Sequence, residues 1–334
     1  MTIQTYLDAG RLALAEEMRR DPNVWAVGED LGRGGVFGQY RGLVEEFGNA
    51  RISDAPISEA AIMGVAVGAA MMGTRPVVEM RFADFALCAM DELVNQAAKA
   101  RFMFGGQARV PLVVREPMGM WRSSAAQHSQ SLETWYAHVP GLVVVCPSTP
   151  ADNKGLLKAS IRCDDPVVYL EHKNLWGMEG EVPDDPDFVL PFGVARMVRE
   201  GSDITIVSWS NQVHVAAEAA GVLAGEGISV ELIDLRTLWP WDKTAVLASV
   251  RKTGRLLVTH EAVAVAGFGA EVAATVAEHG SASLRAPVRR LGAPRAPIAY
   301  APPAEDAIRV TAGMTASVVR EMVKPREAAG KGGI

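Results

Sequence analysis

The sequence predicts an α/β protein made of two three-layer α/β/α domains, and three observations support this fold class. Short runs of apolar and β-branched residues alternate with helical patterns along most of the 334 residues. The predicted strands are continuous apolar runs, which is typical of strands buried on both faces of a parallel sheet. A chain of this length also exceeds what one ordinary core holds, so we predict two domains.

In the first half of the chain, strands and helices are predicted to alternate regularly. The predicted strands are 24–29, 75–80, 110–116, 142–147 and 166–172. The predicted helices are 3–20, 58–73, 84–103, 131–138 and 150–163. Asp84 and Pro150 are suitable residues for the start of a helix. These elements form the first predicted domain, residues 1–185.

A change of composition marks the boundary between the domains. The stretch EGEVPDDPDFVLPFG combines three prolines with an acidic cluster, so we predict a linker over 186–203. The second predicted domain, 204–324, has strands at 204–209, 228–235 and 254–261 and helices at 211–225, 242–252, 268–279 and 305–323. Residues 325–334 are predicted to be a flexible tail.

The overall charge and composition argue against several classes of protein. The net charge is −6 and no basic stripe is concentrated in the sequence, so we expect no nucleic-acid partner. There is no signal-peptide pattern and no stretch of about 18 uninterrupted apolar residues, so no membrane span is predicted. Cys88, Cys146 and Cys163 lack a CxxC spacing, which favours reduced thiols in a cytoplasmic protein over disulfides or zinc.

Residues 53–73, SDAPISEAAIMGVAVGAAMMG, place a carboxylate at the start of a helix of small apolar residues. Ser58 is a suitable cap for this helix. A dipole effect of about 0.3–1 kcal/mol is enough to explain Glu59 in the first turn. The small residues behind it, however, predict close packing and a buried helix start, where a carboxylate is costly unless it is paired. The residues alone leave both interpretations open.

Two further candidates follow predicted strands at their carboxyl ends, where parallel sheets bind ligands. Phe82 and Phe85 follow strand 75–80, and they either pack in the core or form a platform for a flat ring. His128 lies between amide side chains in AAQHSQS, after strand 110–116. A lone histidine is more often structural, but this position suits proton transfer.

Other motifs give weaker signals. GEDLGRGGVFG and GFGAEVA match neither phosphate-binding pattern, and tight turns are the simpler interpretation of their glycines. Ser129 lies outside a GxSxG elbow, so a serine hydrolase is poorly supported.

Several stretches together resemble the β subunit of the thiamine diphosphate-dependent E1 component of 2-oxoacid dehydrogenase complexes, which includes the pyruvate, branched-chain and acetoin enzymes. The resemblance covers nearly the whole chain, in order. It is carried by GEDLGRGGVFGQYRGL, DAPISEAAIMGVAVGAAMMGTRPVVEMRFADF, QHSQSLETWYAHVPGLVVVCPSTPADNKGLL, DDPVVYLEH, GSDITIVSW, ELIDLRTLWPWD, VTHEAVAVAGFGAEVA and IAYAPPAEDA.

The resemblance implies a transketolase-like pyrimidine-binding domain followed by a transketolase C-terminal domain. It implies that Glu59, in the SEA motif, hydrogen-bonds N1′ of the cofactor's aminopyrimidine, which requires a carboxyl group tuned by a dry site. By the same resemblance, Phe85 stacks on the pyrimidine and Ile57 packs beside it. His128 lines the active-site channel and assists proton transfer.

The resemblance also implies partners and metals. The chain lacks the family's GDG…N motif, so an α subunit is expected to hold the diphosphate and Mg²⁺ in an α₂β₂ heterotetramer. The expected reaction decarboxylates a 2-oxo acid, or cleaves acetoin, and transfers the acyl unit to a lipoyl group on E2. A potassium site is implied at the backbone carbonyls of Leu112, Ser160, Ile161, Cys163 and Asp165.

Two alternatives and the substrate stay open at this point. One alternative is the half-subunit of a transketolase-like carboligase that acts without lipoyl-E2, and the other is a non-catalytic assembly module. The segment MGMWRSSAAQHSQ departs from the glycine-rich loop that many relatives carry near the substrate entrance. MRF, RFMFGGQ and AAQHSQ are closer to the acetoin branch than to the pyruvate branch, but they do not identify the substrate.

Overall fold

The computed structural model describes residues 1–324, so the predicted tail lies outside it. Strands of the first part of the chain are β1 (Thr2–Thr5), β2 (Val24–Gly28), β3 (Ile52–Asp54), β4 (Arg75–Glu79), β5 (Val113–Met118), β6 (Val143–Val145), β7 (Val167–His172) and β8 (Glu179–Val182). Its helices are α1 (Tyr6–Arg20), α2 (Leu43–Phe47), α3 (Glu59–Met71), α4 (Ala98–Met103), α5 (Glu133–Ala137) and α6 (Pro150–Arg162). A turn of 3₁₀ helix (Phe85–Ala89) and a π-helix (Asp91–Ala97) precede α4.

The second part of the chain repeats the alternation. Its strands are β9 (Arg196–Arg199), β10 (Ile204–Ser208), β11 (Val230–Asp234), β12 (Thr237–Trp239), β13 (Leu256–Val263) and β14 (Arg289–Ala293). Its helices are α7 (Gln212–Ala224), α8 (Lys243–Thr253), α9 (Gly269–Gly280), α10 (Pro302–Ile308) and α11 (Ala312–Val323).

These strands form two main sheets, as the two predicted α/β domains require. The first has seven strands in the order β12-β6-β7-β5-β4-β2-β3, and all its pairs are parallel except β12 with β6. The second has five strands in the order β14-β13-β10-β11-β9, and only β9 runs antiparallel to its neighbour. The predicted fold class is therefore confirmed.

Successive residues of the central strands point to opposite faces of the first sheet. On β5, Val113 packs into a core with residues of α1 and α6, whereas Val114 packs into a core with residues of α3. Val77 and Val78 on β4 divide in the same way. Because both faces are covered by helices, the strands read as continuous apolar runs in the sequence.

Several predicted elements differ from the structure. Helix 84–103 is divided into 3₁₀, π and α segments, and helix 305–323 is interrupted between α10 and α11. The predicted linker 186–203 contains β9, the edge strand of the second sheet. The start of the predicted helix 3–20 is instead β1, paired with β8 in a two-stranded ribbon. The two strand segments, β1 and β9, are short, and their pairing partners farther along the chain decide their conformation.

The two halves share a sheet and a core. β12, from the second half, pairs with β6 and so completes the first sheet. Trp209 is buried after β10, and its indole N–H donates to the carboxylate of Glu133 on α5 at 3.1 Å. A polar group that is buried across the junction needs such a partner, so the contact restrains how the halves pack.

A buried cation lies among the central strands of the first sheet. Arg115 on β5 is 2 % exposed and donates through Nε and Nη2 to the carboxylate of Glu171 on β7, at 2.9 and 3.0 Å. The carboxylate of Glu79 on β4 lies 3.8 Å from the same guanidinium. Fixed geometry and several hydrogen bonds are what make a buried ion pair tolerable.

We expect Arg115→Met to lower the free energy of unfolding by about 3–5 kcal/mol, because two buried carboxylates lose their cation. Urea unfolding followed by circular dichroism near neutral pH measures this change. Arg320→Met is the matched control, since its pair with Glu226 lies on the surface with side chains 38 % and 39 % exposed. We expect the control to change stability by less than about 1 kcal/mol. Equal losses in the two variants would contradict the role given to Arg115.

Candidate active site at the strand ends

The carboxyl ends of β2, β4, β5 and β7 meet at one edge of the first sheet, where α/β proteins bind ligands. The segments that follow these strands begin with Glu29 after β2, residues 80–85 after β4, residues 119–131 after β5 and Lys173 after β7. We call residues 119–131 the His128 loop.

The imidazole of His128 lies against two phenylalanine rings. Its centroid is 5.0 Å from that of Phe82 and 5.1 Å from that of Phe85, and both contacts are edge-to-face. The structure therefore brings together Phe85 and His128, which the sequence placed after different strands. The cluster continues through the rings of Phe37, Trp121 and Trp176. Such a group of ring faces and edges suits the packing of another flat ring.

Glu59 is the first residue of α3, at the positive end of the helix dipole. Ser58 does not cap the helix as predicted, because its hydroxyl donates to the carbonyl of Pro56 at 2.9 Å. Glu29 is close enough for its charge to interact with that of Glu59. Burial raises the pKa of Glu29, Arg81 opposes this shift, and Glu59 adds to it. The raised pKa of Glu29 thus favours the protonated form of that carboxyl group.

Helix α3 is buried on one side only. Ile62, Met63 and Ala66 are in the core, and the helix packs against the turn Phe85–Ala89, which places it beside the aromatic cluster. Val65 on the other side is 62 % exposed, and Ile57, just before the helix, is 75 % exposed. The close packing that was expected around this helix is therefore present on one side only in the single chain.

The His128 loop has an unusual backbone. Arg122, Ser123 and Ala125 all have positive φ angles, of 47°, 56° and 64°. Each such non-glycine residue costs about 1–3 kcal/mol, so surrounding contacts must hold the loop in this shape. One of these contacts is the buried ammonium of Lys173, which donates to the carbonyl of His128. Burial lowers the pKa of Lys173 to about 8, although Asp84 and Glu261 act in the opposite direction.

The predicted potassium ligands lie at the end of α6 and near β5. The carbonyl oxygens of Ile161 and Cys163 converge, but on the guanidinium of Arg75, which donates to them at 3.1 and 3.0 Å. These two oxygens already have a cationic partner, so they do not fit an open potassium site. Potassium at Leu112, Ser160, Ile161, Cys163 and Asp165 stays a prediction from the resemblance.

Within residues 1–324, no group of three or more His, Cys, Asp or Glu side chains is arranged to hold a metal ion. In the same range, every helix is too short or too polar to span a bilayer.

A cleft of about 1040 Å³ lies between the two halves, behind the His128 loop. Gln130, Ser131 and Glu261 line it, but the rings of the aromatic cluster around His128 do not.

The chain is similar to two protein families and to several known enzymes' subunits. The family described as "Transketolase, pyrimidine binding domain" matches residues 4–178, and "Transketolase, C-terminal domain" matches residues 193–316. The chain is 45% identical over 327 residues to the 2-oxoisovalerate dehydrogenase subunit beta of Bacillus subtilis, covering 97% of this chain and 100% of the relative. It is also 45% identical over 323 residues to an acetoin:2,6-dichlorophenolindophenol oxidoreductase subunit beta of Cupriavidus necator, covering 93% and 95%.

The chain belongs to the family of 2-oxoacid and acetoin dehydrogenase β subunits. A pyruvate dehydrogenase E1 component subunit beta of Rhizobium meliloti is 45% identical over 302 residues, which are 90% of this chain and 66% of that relative. The same fold occurs in a solved structure titled "Split gene transketolase, inactive beta4 tetramer", with a TM-score of 0.79 and 22% identity, covering 95% and 97% of the two chains.

Sequence reasoning missed three charged residues of this β-subunit site. Glu29 and Lys173 directly follow strands of the first sheet, and Glu261 lies near the carboxyl end of β13 in the second sheet. That position was itself a usable signal, because charged residues directly after a buried parallel strand point to the ligand-binding edge. The sequence does not show which of them meet, since their contacts join different strands.

Glu79 supports the site from beneath, at the end of β4. Burial raises its pKa to about 7 from the ordinary 4.5, with Arg115 acting in the opposite direction. Tyr40 and Gln39 donate to its two oxygens at 2.9 and 3.0 Å. Between about pH 4.5 and pH 7, the carboxyl group of Glu79 therefore keeps its proton in the folded state and loses it in the unfolded state. The stabilising contribution is complete below pH 4.5 and is lost as the pH rises through about 7.

We expect the free energy of unfolding of the wild type, relative to Glu79→Gln, to fall by about 1–3 kcal/mol between about pH 5 and pH 8. The glutamine side chain does not titrate, so only the wild type follows this proton. Urea unfolding at the two pH values measures the difference. Glu45→Gln, at an exposed position, should show no such trend. A difference that is constant with pH would contradict the raised pKa.

Proposed function

We propose that this chain supplies the aminopyrimidine half of a thiamine diphosphate site in a two-chain E1 enzyme. In this proposal the enzyme decarboxylates a 2-oxo acid, or cleaves acetoin, and transfers the acyl unit to a lipoyl group on E2. The observation that carries the proposal is the meeting of Phe85 and His128, at 5.1 Å between ring centroids, beside the helix that begins at Glu59. The relatives named as 2-oxoisovalerate, acetoin and pyruvate enzyme β subunits support the same reaction class.

The residues present fit the pyrimidine half of the cofactor. When bound, thiamine diphosphate supplies the carbon nucleophile and accepts the electron pair of the broken C–C bond. We assign to the Glu59 carboxyl group the proton exchange with a ring nitrogen, because it lies at a helix start and near a second carboxylate, Glu29. Phe85 and Ile57 would hold the ring by apolar contact. His128 would move a proton at the substrate oxygen or at the acceptor thiol.

We assign the diphosphate and Mg²⁺ to a separate α subunit, in an α₂β₂ heterotetramer. Two observations on residues 1–324 support this division: no group of three or more His, Cys, Asp or Glu side chains is arranged to hold a metal, and apolar side chains are exposed on and just after α3. Val65 is 62 % exposed and Met72 is 84 % exposed on the outer side of α3. Exposed apolar surface of this kind marks a partner interface. The cytoplasm stays the predicted compartment.

We expect Glu59→Gln to lower turnover by about a hundredfold or more, because it removes an acid–base group from the site. The variant is co-expressed with the α subunit, and decarboxylation or acetoin cleavage is followed with an artificial electron acceptor. Glu45→Gln is the matched control on an exposed position and should retain wild-type turnover. Full activity of Glu59→Gln would contradict the role of this carboxyl group.

We also expect the isolated chain to be inactive with added thiamine diphosphate and Mg²⁺, since it holds only part of the site. Turnover by the isolated chain would contradict the two-chain proposal.

With the α subunit present, a panel of pyruvate, branched-chain 2-oxo acids and acetoin identifies the substrate. Transfer to an aldehyde but not to a lipoyl domain would indicate a carboligase. Failure of the αβ mixture to bind thiamine diphosphate in calorimetry would indicate an assembly module.

A further inference from the structure

One carboxylate of the second half holds the His128 loop. Glu261 lies on β13, and its Oε1 accepts a hydrogen bond from the backbone N–H of Met120 at 2.7 Å. The same oxygen accepts a bond from the hydroxyl of Ser131 at 3.4 Å. Met120 and Ser131 lie at opposite ends of the His128 loop. A single oxygen therefore ties both ends of the loop to the second sheet.

This oxygen is itself fixed in place. The Nε2 atom of His172, at the end of β7, lies 3.0 Å from Oε1 of Glu261. Burial by itself would raise the pKa of Glu261, but His172, the Met120 amide and Arg309 together bring it below its usual value. The group is thus an ionised carboxylate held between two halves of the chain. Charge-assisted bonds of this kind are stronger than neutral ones.

Neighbouring groups hold the same end of the loop. The carbonyl of Met120 accepts bonds from the Asn174 side-chain amide at 3.2 Å and from Arg309 at 3.3 Å. Lys173 donates to the carbonyl of His128 inside the loop. Every one of these donors lies outside the loop, so its surroundings help to hold its shape together with the bonds within the loop, such as that from the Ser124 hydroxyl to the carbonyl of Trp121.

Backbone strain would favour movement of the loop if these contacts were lost, and the neighbouring cleft has space for it. Three of its residues have the positive φ angles given above, each with a cost that a freed loop would relieve. The cleft behind it is lined by Gln130 and Ser131 on one side and by Gly267 on the other. Removal of the Glu261 carboxylate would therefore let the loop relax towards this space.

We propose that Glu261 is a positioning residue, which holds the His128 loop at both ends and so lets the second domain set the position of His128. The inference rests on the proposed function only for what His128 does in the reaction. The position of the loop can be measured without turnover. Glu261 does not line the aromatic cluster around His128, and we assign it no contact with the substrate.

The test is limited trypsin digestion of the full-length chain, with fragments identified by mass spectrometry. Arg122 is exposed within the loop, and cleavage after it requires the loop to open. We expect Glu261→Ala to raise the rate of this cut by about tenfold or more, because local opening controls proteolysis. Glu261→Gln keeps a carbonyl oxygen and should restore a rate close to that of the wild type.

Glu231→Ala is the matched control for general loss of stability. Glu231 is also a buried carboxylate of the second sheet, and it accepts bonds from the Gly201 amide and from Lys252. It lies away from the loop, so we expect lower thermal stability without selective cutting after Arg122. All digestions are run well below the melting temperature of each variant, and the cut after Arg122 is compared with the cuts elsewhere.

Cleavage after Arg122 at the wild-type rate in Glu261→Ala would overturn the proposal, as would equal acceleration in Glu231→Ala. If Glu261→Ala does not fold, Glu261→Asp replaces it, since the shorter side chain keeps the charge but draws back from Met120. In the αβ enzyme, the proposal also expects kcat to fall more than KM rises. An inactive wild-type αβ enzyme would contradict the proposed function. The inference about Glu261 would then be tested by the digestion result only.

Discussion

The buried guanidinium of Arg115 is the interaction on which the first sheet and its site depend. It lies on the middle strand β5, bonds twice to Glu171 on β7, and lies 3.8 Å from Glu79 on β4. The two acids approach the carboxyl ends of their strands, and the site residues follow directly. Because ions without a partner are very costly inside a protein, this arrangement permits little change in the register of the three strands.

From Arg115 the polar contacts extend through Glu171 to helices α6 and α1 on one face of the sheet, and through Glu79 to the loop after β2. Asn153 on α6 donates to Glu171 at 3.1 Å and to the carbonyl of Tyr6 on α1 at 2.8 Å. On the other side, Glu79 receives the bonds from Tyr40 and Gln39, which follow the glycine-rich turn 28–38. The glycines of that turn at 34, 35 and 38 have positive φ angles, so they serve a turn, as the simpler interpretation expected.

The second half of the chain acts on the same edge of the sheet from outside. It completes the first sheet with β12, it places Trp209 against Glu133, and it holds the His128 loop through Glu261. A domain that only joined subunits would not need a carboxylate between the ends of the His128 loop. The two halves therefore pack as one unit through β12, Trp209 and Glu261.

Local patterns in the sequence were enough to determine the fold class, the order of the main strands and helices, and the candidates Glu59, Phe85 and His128. Buried parallel strands and amphipathic helices carry these signals in consecutive residues, which explains why they could be predicted. The tertiary structure alone decided the edge strands β9 and β12, the π-helix, and the contacts of Lys173 and Glu261. The bond from Met120 to Glu261 spans 141 residues, and no local pattern encodes a partner at that distance. The sequence thus determined the main strands and the first candidates that follow them, and folding determined which side chains hold one another at the site edge.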